Sequence, residues 1–273
     1  MFYFFKMQAL GNDFIVINNL EKKIEYSYKL LCQYLCNRNF GVGADGVLIL
    51  EKSEITNFRM RIFNQDGSEA EMCGNGIRCL AKYIYENKLI NKNEFEIETL
   101  SGIRKVKIHL DEKAVKEIEV DLGIPKFNLD EIPVIYLENN YNGKINIDEI
   151  EVYPISLGNP HIVCFFEKIE DIDVKNIGAK LEKYKYFPNR INVEFVEIID
   201  KENIKVRVWE RGVGETLGCG TGACAAAVIS NKYKSTNSEI FVDLPGGKIK
   251  IICDNTIRLI GNAENIFEGK ILI

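Results

Sequence analysis

The apolar and polar positions of the chain follow two periods, one typical of strands and one typical of helices. Alternating segments such as Lys-Ile-Lys-Ile at 248–251 predict half-exposed antiparallel strands. Apolar residues at helical spacing after Ser27, a residue type favoured at helix starts, predict a helix. Its large side chains at this spacing are Leu30, Leu31, Tyr34 and Leu35. Further strands are predicted at 58–63, 95–100, 104–108, 192–199, 205–209 and 248–252.

Four segments of the first half recur in the same order in the second half. Residues 10–16 resemble residues 157–163, which lie 147 positions later. The pattern C-G-x-G occurs at Cys73 and again at Cys219, 146 positions apart. The other two pairs are 61–67 with 207–212, at an offset of 145, and 98–102 with 242–246, at an offset of 144. Four matches at nearly one offset predict an internal duplication.

The duplicated pattern predicts an α+β chain of two domains. Each copy is expected to form a curved, largely antiparallel sheet or barrel around a central helix, and the two copies to be related by a pseudo-twofold axis. The predicted halves are 1–120 and 121–261, with a last strand at 262–273 that returns to the first half. Each central helix should begin just after its C-G-x-G turn. Its inward residues should be Leu80, Ala81 and Ile84 in one copy and 225–229 in the other.

Charge and hydrophobicity narrow the classes of partner. The 273-residue chain has a net charge of -5, and its Lys and Glu residues are interspersed without a basic stripe, which argues against nucleic acid. No apolar run is long enough to span a bilayer, so no membrane partner is expected. The start MFYFFKMQAL lacks the features of a signal peptide. We therefore expect a cytoplasmic protein whose thiols are free.

The eight cysteines do not predict a metal site. Their closest spacings are x3, x5 and x4, in Cys32–Cys36, Cys73–Cys79 and Cys219–Cys224, and none is the C-x2-C typical of zinc ribbons. Apart from the two in C-G-x-G patterns, the cysteines are interpreted as small core residues. These are Cys32, Cys36, Cys79, Cys164, Cys224 and Cys253.

A glycine-rich segment at 41–46 fits G-x-G-x-x-G but is not interpreted as a nucleotide site. The dinucleotide fingerprint must open a helix, whereas the apolar run at 47–50 that follows predicts a strand. His109, in an alternating Lys-rich strand, is expected at the surface. Trp209 is interpreted as a core residue.

The two C-G-x-G patterns predict a specific chemistry. A helix start carries partial positive charge and N–H groups that the helix does not use, so it can hold a carboxylate and lower the pKa of a cysteine thiol. Glycines at the second and fourth positions let a ligand approach the backbone. If both turns face one cleft, one thiolate can remove the proton α to a carboxylate while the other thiol protonates the opposite face. This arrangement predicts a two-base racemase or epimerase that needs no cofactor.

Five motifs, in this order, resemble those of diaminopimelate epimerases. They are GNDF at 11–14, NQDGS at 64–68, MCGNGIRC at 72–79, GNPH at 158–161 and WERGVGETLGCGTGAC at 209–224. The resemblance extends from about Lys6 to the C-terminus and is most specific in the two cysteine motifs. It implies cofactor-independent interconversion of LL- and meso-diaminopimelate, in lysine and peptidoglycan biosynthesis, by a homodimer.

The resemblance also implies roles for single residues. Cys73 and Cys219 would be the acid and base thiols, and His161 and Glu210 would tune them. Backbone N–H groups at Gly74, Asn75, Gly220 and Thr221 would hold the reacting carboxylate. The substrate contacts implied are Asn12, Asn64, Asn159, Asn192, Glu210 and Arg211. Some family members carry a substrate-contacting Gln where this chain has Gly46, so the contact there stays open; the duplication places Asn192 opposite it.

Three other functions stay open. Proline and hydroxyproline racemases of the same architecture usually share the paired thiols, although the W-E-R-G run before Cys219 favours diaminopimelate. Isomerases of the phenazine-biosynthesis type have a similar fold without the cysteine pair. A binding protein that has lost activity would be expected to lack one of the two cysteines. Asn12 and Asn159 also have a structural interpretation, as left-handed turn residues after glycine.

Overall fold

A computed structural model of the protein describes residues 2–24, 26–136 and 141–272. The chain divides into two units. One contains the residues up to Asp121 together with those from Ile260 onward, and the other is Leu122–Leu259. Each unit combines a largely antiparallel set of strands with two α helices in the described residues. The predicted α+β class with a repeated pattern is confirmed.

In the first unit the strands surround a helix that begins at the first C-G-x-G motif. Its elements are β1 (Phe2–Ala9), β2 (Asn12–Asn18), α1 (Tyr28–Cys36), β3 (Gly46–Glu51), β4 (Phe58–Asn64), β5 (Glu69–Ala70), α2 (Gly74–Glu86), β6 (Glu94–Thr99), β7 (Gly102–Asp111) and β8 (Ala114–Asp121). The pairs β2·β3 and β4·β6 are parallel, and β1·β2, β3·β4, β4·β5, β6·β7 and β7·β8 are antiparallel. Helix α2 packs against β1, β2, β3, β4, β7 and β8, so it is the central helix of this unit.

The second unit repeats this order. After a short 3-10 helix (Leu129–Glu131) come β9 (Ile145–Ile147), β10 (Ile150–Ser156), β11 (Pro160–Phe165), α3 (Val174–Glu182), β12 (Asn192–Ile198), β13 (Asn203–Glu210), β14 (Gly214–Thr216), α4 (Gly220–Lys234), β15 (Glu239–Leu244), β16 (Gly247–Cys253) and β17 (Ile257–Gly261), whose last two residues are counted in the first unit. Again two pairs are parallel, β11·β12 and β13·β15. Helix α4 packs against β10, β11, β12, β13, β15 and β16. The last strand, β18 (Glu264–Ile271), pairs antiparallel with β1 of the first unit.

Matching contacts in the two units support the duplication. Arg61 in β4 pairs with Glu69 in β5 at 2.7 Å, and Arg207 in β13 pairs with Glu215 in β14 at the same place in the second unit. The sequence match at the last hairpin was one residue out of register. The hairpin of β6 and β7 closes at Thr99–Gly102 and that of β15 and β16 at Leu244–Gly247, so the counterpart of Gly102 is Gly247 and not Gly246. Both of these glycines have positive φ, 102° and 136°, which explains why glycine follows each turn.

Only some of the apolar residues at helical spacing in α1 are buried. Leu31 and Leu35 are buried together with Cys32 and Cys36, whereas Leu30 and Tyr34 are 66% and 50% exposed. A nine-residue helix on the side of the sheet buries one stripe only, so not all four large side chains can point inward. Ser27 does occupy the N-cap position, but its side chain makes no capping hydrogen bond. In α3 the corresponding Asp173 side chain accepts from Asn176 N at 3.2 Å.

Most predicted core positions are confirmed. The inward residues of both central helices are buried, as are all the cysteines interpreted as core except Cys253, which is only partly buried at the end of β16. Trp209 is partly buried against the core of the second unit, and its Nε1 donates to Glu182 Oε2 at 2.9 Å. His109 is 35% exposed and lies 2.9 Å from Glu119. Residues 47–50 are in strand β3, which confirms that 41–46 does not open a helix.

None of the helices in the described ranges is long and apolar enough to cross a membrane.

Candidate active site

Both central helices begin with a cysteine whose sulfur caps the helix. Cys73 is the N-cap of α2 and its Sγ accepts from Gly76 N at 3.4 Å. Cys219 is the N-cap of α4 and its Sγ accepts from Gly222 N at 3.4 Å. The helices therefore begin inside the C-G-x-G motifs and not after them, because the cysteine itself supplies the cap. Each sulfur lies at the positive end of a helix dipole.

The last glycine of each motif keeps the helix start close to a neighbouring strand. A Cβ on Gly76 would lie 3.0 Å from Cδ2 of Leu48 in β3. A Cβ on Gly222 would lie 2.7 Å from Oε1 of Glu194 in β12. Leu48 and Glu194 are 146 positions apart, so they occupy the same place in the two copies. The same location beneath the helix start is thus apolar in one unit and carries a carboxyl group in the other.

We expect Gly222→Ala to lower the free energy of unfolding by about 1–3 kcal/mol, the usual cost of overpacking a buried site. The new methyl would meet a carboxyl oxygen that is fixed by its hydrogen bond with His161. Gly76→Ala is the matched control and should cost less, because its methyl meets the rotatable end of Leu48. Chemical denaturation of both variants measures the difference. Equal stabilities would contradict the close approach of Glu194 to α4.

In the first unit an asparagine contacts the cysteine. Asn12 Oδ1 accepts from Cys73 Sγ at 3.8 Å and from Asn75 Nδ2 at 3.3 Å. The amide is oriented by Asp45, whose Oδ2 accepts from Asn12 Nδ2 at 2.9 Å. Asn12 lies in strand β2 and does not have positive φ, so the interpretation as a left-handed turn residue is wrong. The structure thus brings together three predicted site residues, Cys73, Asn12 and Asn75. A fourth, Gly74, lies between Cys73 and Asn75 in the sequence.

A fully buried arginine supports this group. Arg78 donates from Nη1 to Gly74 O at 3.0 Å, from Nη2 to Asn75 Oδ1 at 3.0 Å and from Nε to Asn262 O at 3.2 Å. It therefore fixes the side chain of Asn75, and it links the start of α2 to the segment before β18. The sequence reading included Arg78 in the MCGNGIRC motif but assigned it no role.

Asn64 lies apart from this hydrogen-bonded group. It ends strand β4, is exposed, and donates from Nδ2 to Ser68 Oγ at 3.0 Å. Across the β3·β4 pair it lies opposite Gly46. A Cβ on Gly46 would be 2.8 Å from the carbonyl oxygen of Phe63, so the backbone leaves little room for a side chain there.

In the second unit a chain of hydrogen bonds leads from a buried carboxyl group to the cysteine. Glu194 Oε1 is 2.7 Å from His161 Nδ1, and His161 Nε2 is 3.0 Å from Asn159 Oδ1. Asn159 Nδ2 donates to Thr221 Oγ1 at 3.2 Å, and Thr221 Oγ1 is 3.4 Å from Cys219 Sγ. Asn159, like Asn12, does not have positive φ, so its interpretation as a left-handed turn residue is also wrong. Sequence reasoning found every member of this chain except Glu194.

The other predicted residues of the second unit surround the turn after β13. Asn192 is buried, donates from Nδ2 to Pro160 O at 2.8 Å, and accepts on Oδ1 from Arg211 N at 2.9 Å. Glu210 Oε1 accepts from Thr216 Oγ1 at 2.6 Å. The Arg211 side chain is exposed. Asn192 therefore links the start of β11 to the turn after β13, a contact that Gly46 cannot make in the first unit.

The surroundings of Cys219 oppose its ionisation. Burial raises the pKa of the Cys219 thiol well above its usual value, and the nearby carboxyl groups of Glu210 and Glu194 raise it further. The Thr221 hydroxyl and the Gly222 N–H act in the opposite direction but are outweighed. The prediction that the helix start gives Cys219 a lowered pKa is therefore wrong, because burial raises the pKa more than the helix-start N–H lowers it. Desolvation of a buried thiolate is the reason, and the same effect raises the pKa of the core thiol Cys79 to about 12.

Among residues 2–24, 26–136 and 141–272, no three His, Cys, Asp or Glu side chains are grouped as a metal site requires.

Known proteins of one family match nearly the whole chain. The family model for diaminopimelate epimerase matches residues 4–128 and 153–264. The diaminopimelate epimerase of Moorella thermoacetica is 41% identical over 98% of both chains. That of Prochlorococcus marinus is 45% identical, again over 98% of both chains.

Solved structures with lower sequence identity share the fold. A phenazine biosynthesis protein of the PhzF family from Bacillus anthracis superposes with a TM-score of 0.71, at 20% identity, over 100% of this chain and 99% of its own. A hydroxyproline epimerase from Agrobacterium vitis superposes with a TM-score of 0.70, at 11% identity, over 98% and 91%. These two likenesses concern the architecture alone. The family model and the two relatives with more than 40% identity show the family as well as the fold: the chain belongs to the diaminopimelate epimerase family.

Proposed function

We propose that the protein interconverts LL- and meso-diaminopimelate, with Cys73 and Cys219 as the acid and base. The observation that carries this proposal is the pair of sulfur-capped helix starts in a chain of this family. A symmetric pair suits an epimerase because either configuration of the α-carbon must find a base on one side and an acid on the other. The proposal requires both sulfurs to reach opposite faces of one α-carbon.

The reaction is a balanced exchange of one proton. A thiolate at one cysteine takes the α-proton and becomes a thiol, while the C–H electron pair moves into the adjoining carboxylate. The thiol at the other cysteine then gives its proton to the opposite face and becomes a thiolate. Each turnover therefore exchanges the protonation states of the two sulfurs, and these states must be restored before the same epimer can react again.

The helix starts supply the electrostatic part of the proposal. Charge develops on the carboxylate as the α-proton leaves, and in this proposal it is bound by N–H groups of Gly74, Asn75, Gly220 and Thr221, which lie in the first turns of the helices. Such dipoles are already fixed by the helices, so they need little reorganisation during the reaction. The chain's own residues thus meet the chemical needs of the reaction, and no cofactor is proposed.

The far end of diaminopimelate carries a second amino-acid group. We assign its recognition to side chains of the two units, since a carboxylate suits the fork of Arg211 and an ammonium suits Glu210 and amide oxygens. The full set of proposed substrate contacts is Asn12, Asn64, Asn159, Asn192, Glu210 and Arg211. Asn192 and Glu210 already have partners within the protein, so their contacts with substrate would extend existing hydrogen bonds.

His161 and Glu210 are proposed to tune the thiols. In this proposal Cys219 is the thiol, not the thiolate, in the free protein at neutral pH, because burial and two carboxyl groups raise its pKa. It is then ready to donate a proton to the substrate. Cys73, which is only half-buried, would supply the base for the same direction of reaction.

The substrate is tested by following α-proton exchange in D2O with purified protein. LL-diaminopimelate, meso-diaminopimelate, L-proline and trans-4-hydroxy-L-proline are incubated separately. We expect deuterium at the α-carbon and a common mixture of epimers from both diaminopimelates, and no exchange in either imino acid. Exchange of proline without exchange of LL-diaminopimelate would show that the substrate proposal is wrong and that a proline-type racemase is the better description.

The remaining proposals follow from the family and the composition. We propose a cytoplasmic homodimer that acts in lysine and peptidoglycan biosynthesis on a small-molecule substrate, without nucleic acid or membrane partners. Light scattering of the purified protein tests the oligomeric state directly.

A further inference from the structure

Glu194 is a buried carboxyl group at a position that the fold does not require to be polar. Its side chain is fully buried in strand β12, between apolar neighbours Val193 and Phe195. The other copy of the repeat has Leu48 in the same place, beneath the start of α2. Burying a carboxyl group is unfavourable unless partners compensate, and within the described residues its Oε2 has no hydrogen-bond partner. A role in the site therefore explains Glu194 better than packing does.

The hydrogen bonds from Glu194 to Cys219 have a defined direction. Asn159 uses its Nδ2 group to donate to Thr221, so its Oδ1 faces His161 and must accept. His161 therefore carries a hydrogen on Nε2. One further proton lies between His161 Nδ1 and Glu194 Oε1, and the Nε2 hydrogen remains whichever of the two atoms holds it. Because Thr221 Oγ1 already accepts from Asn159, its own hydrogen is available to Cys219 Sγ.

The first unit has the opposite polarity at the corresponding asparagine. Asn12 donates from Nδ2 to Asp45 and turns its Oδ1 towards Asn75 and Cys73. His161 is replaced there by Phe14, its counterpart 147 positions earlier. Cys73 is thus contacted by a hydrogen-bond acceptor, and Cys219 by a hydrogen-bond donor. In each unit a carboxyl group decides the orientation of the asparagine, Asp45 directly and Glu194 through His161.

We propose that Glu194 is a positioning residue for Cys219. It holds His161 in the form that carries hydrogen on Nε2, and thereby directs the Asn159 and Thr221 hydrogen bonds towards the sulfur. The consequence for activity rests on the proposed function, since it assumes that Cys219 transfers a proton to the α-carbon. The consequence for His161 does not depend on any substrate.

Two substitutions separate hydrogen bonding from simple packing. Glu194→Leu removes the partner of His161 but introduces the side chain that fills this place in the first unit, so the fold should tolerate it. Glu194→Gln has the same shape, and its amide can still donate to His161 Nδ1. We expect Leu to lower kcat at least about tenfold with little change in KM, because a small misdirection at the reacting group is costly. Glu194→Gln should lower kcat much less than Glu194→Leu.

Glu197→Gln provides a matched control on the same strand. Glu197 is a partly buried carboxylate three residues along β12 that accepts from Ile169 N at 3.1 Å, away from His161. Its substitution should leave kcat unchanged. Equal losses in Glu194→Leu and Glu194→Gln, or no loss in either, would overturn the proposal.

Histidine NMR tests the proposal without substrate. The chain has only two histidines, so protein labelled with ¹⁵N in histidine rings gives two imidazole patterns, and His109 is the internal reference. We expect a protonated Nε2 at His161 in the wild type and in Glu194→Gln, and a mixture of ring forms in Glu194→Leu. An unchanged His161 pattern in Glu194→Leu would overturn the proposal. If the rings behave as expected but no diaminopimelate is epimerised, only the proposed function fails.

A double substitution tests whether the effect passes through Thr221. Thr221→Val removes the hydroxyl group that contacts Cys219. If Glu194 acts through this hydroxyl, Glu194→Leu should lower kcat much less in the Thr221→Val background than in the wild type. Independent, multiplied losses would show that Glu194 acts by another route and would contradict the proposed chain.

Discussion

Replacing either Cys73 or Cys219 by alanine is expected to lower the rate of epimerisation by about 10³-fold or more, the range lost when a general acid or base is removed. Both directions of the reaction use both sulfurs, one as base and one as acid, so neither single variant can complete a turnover. Each variant should still exchange the α-proton of one epimer with D2O, because the remaining sulfur, when it is deprotonated, faces one side of the carbon. The two variants should exchange opposite epimers.

Buried cysteines one turn or more further along the same helices are the controls. Cys79→Ala and Cys224→Ala remove thiols that are fully buried, and burial raises the pKa of Cys79 to about 12, so neither is expected to transfer protons. Both controls should retain activity in the folded protein. Chiral chromatography and deuterium incorporation measure the two steps separately. If Cys73→Ala and Cys219→Ala exchanged the same epimer, the assignment of the sulfurs to opposite faces would be wrong.

The repeated part of the fold could be predicted from the sequence. Central helices at both C-G-x-G motifs, strands within one or two residues of most predicted bounds, and inward faces at Leu80 and at 225–229 all follow from local patterns. The hairpin register at Gly102 and Gly247 could not be predicted, because a two-residue turn can place glycine in the turn or just after it. Backbone conformation, not residue identity, decides between these positions.

The proposed site was only partly accessible from the sequence. Motifs identify residues that both copies share, such as the cysteines and the glycines of both C-G-x-G patterns. The polar groups that orient them, Glu194, Arg78 and Asp45, lie far away along the chain or outside the assigned positions. The raised pKa of Cys219, which is opposite to the prediction, could not be found from the sequence either, since burial is a property of the folded unit.

A comparison of the two copies would have found some of these groups. Position pairs that differ in polarity between the copies are Phe14 and His161, Gly46 and Asn192, Leu48 and Glu194, and Arg78 and Cys224. Three of these four polar side chains are hydrogen-bonded within the groups that contain Cys73 or Cys219, and Asn192 holds the neighbouring turn. The duplication supplies the frame, and its departures from symmetry mark the residues that give each sulfur its own surroundings.

Arg78→Met is expected to lower the free energy of unfolding by about 3 kcal/mol or more, because it removes donors from three oxygen atoms at once, two of them in buried residues. The guanidinium group binds Gly74 O, Asn75 Oδ1 and Asn262 O, and methionine of similar length can replace its packing but none of these bonds. Arg78→Lys keeps the charge but not the three-way geometry, so an intermediate loss is expected.

Arg61→Met is the matched control for this prediction. Arg61 is also a paired arginine of the first unit, but its side chain is 27% exposed and water can replace the donors that Glu69 loses. Its cost should be nearer 1 kcal/mol, as for other solvent-accessible ion pairs. Hydrogen exchange localises the effect: Arg78→Met should reduce protection in β18 as well as in α2, since Asn262 precedes this strand. Equal stabilities of the Arg78 and Arg61 variants, with β18 still protected, would show that Arg78 does not join these elements, and Asn75 would then need another support.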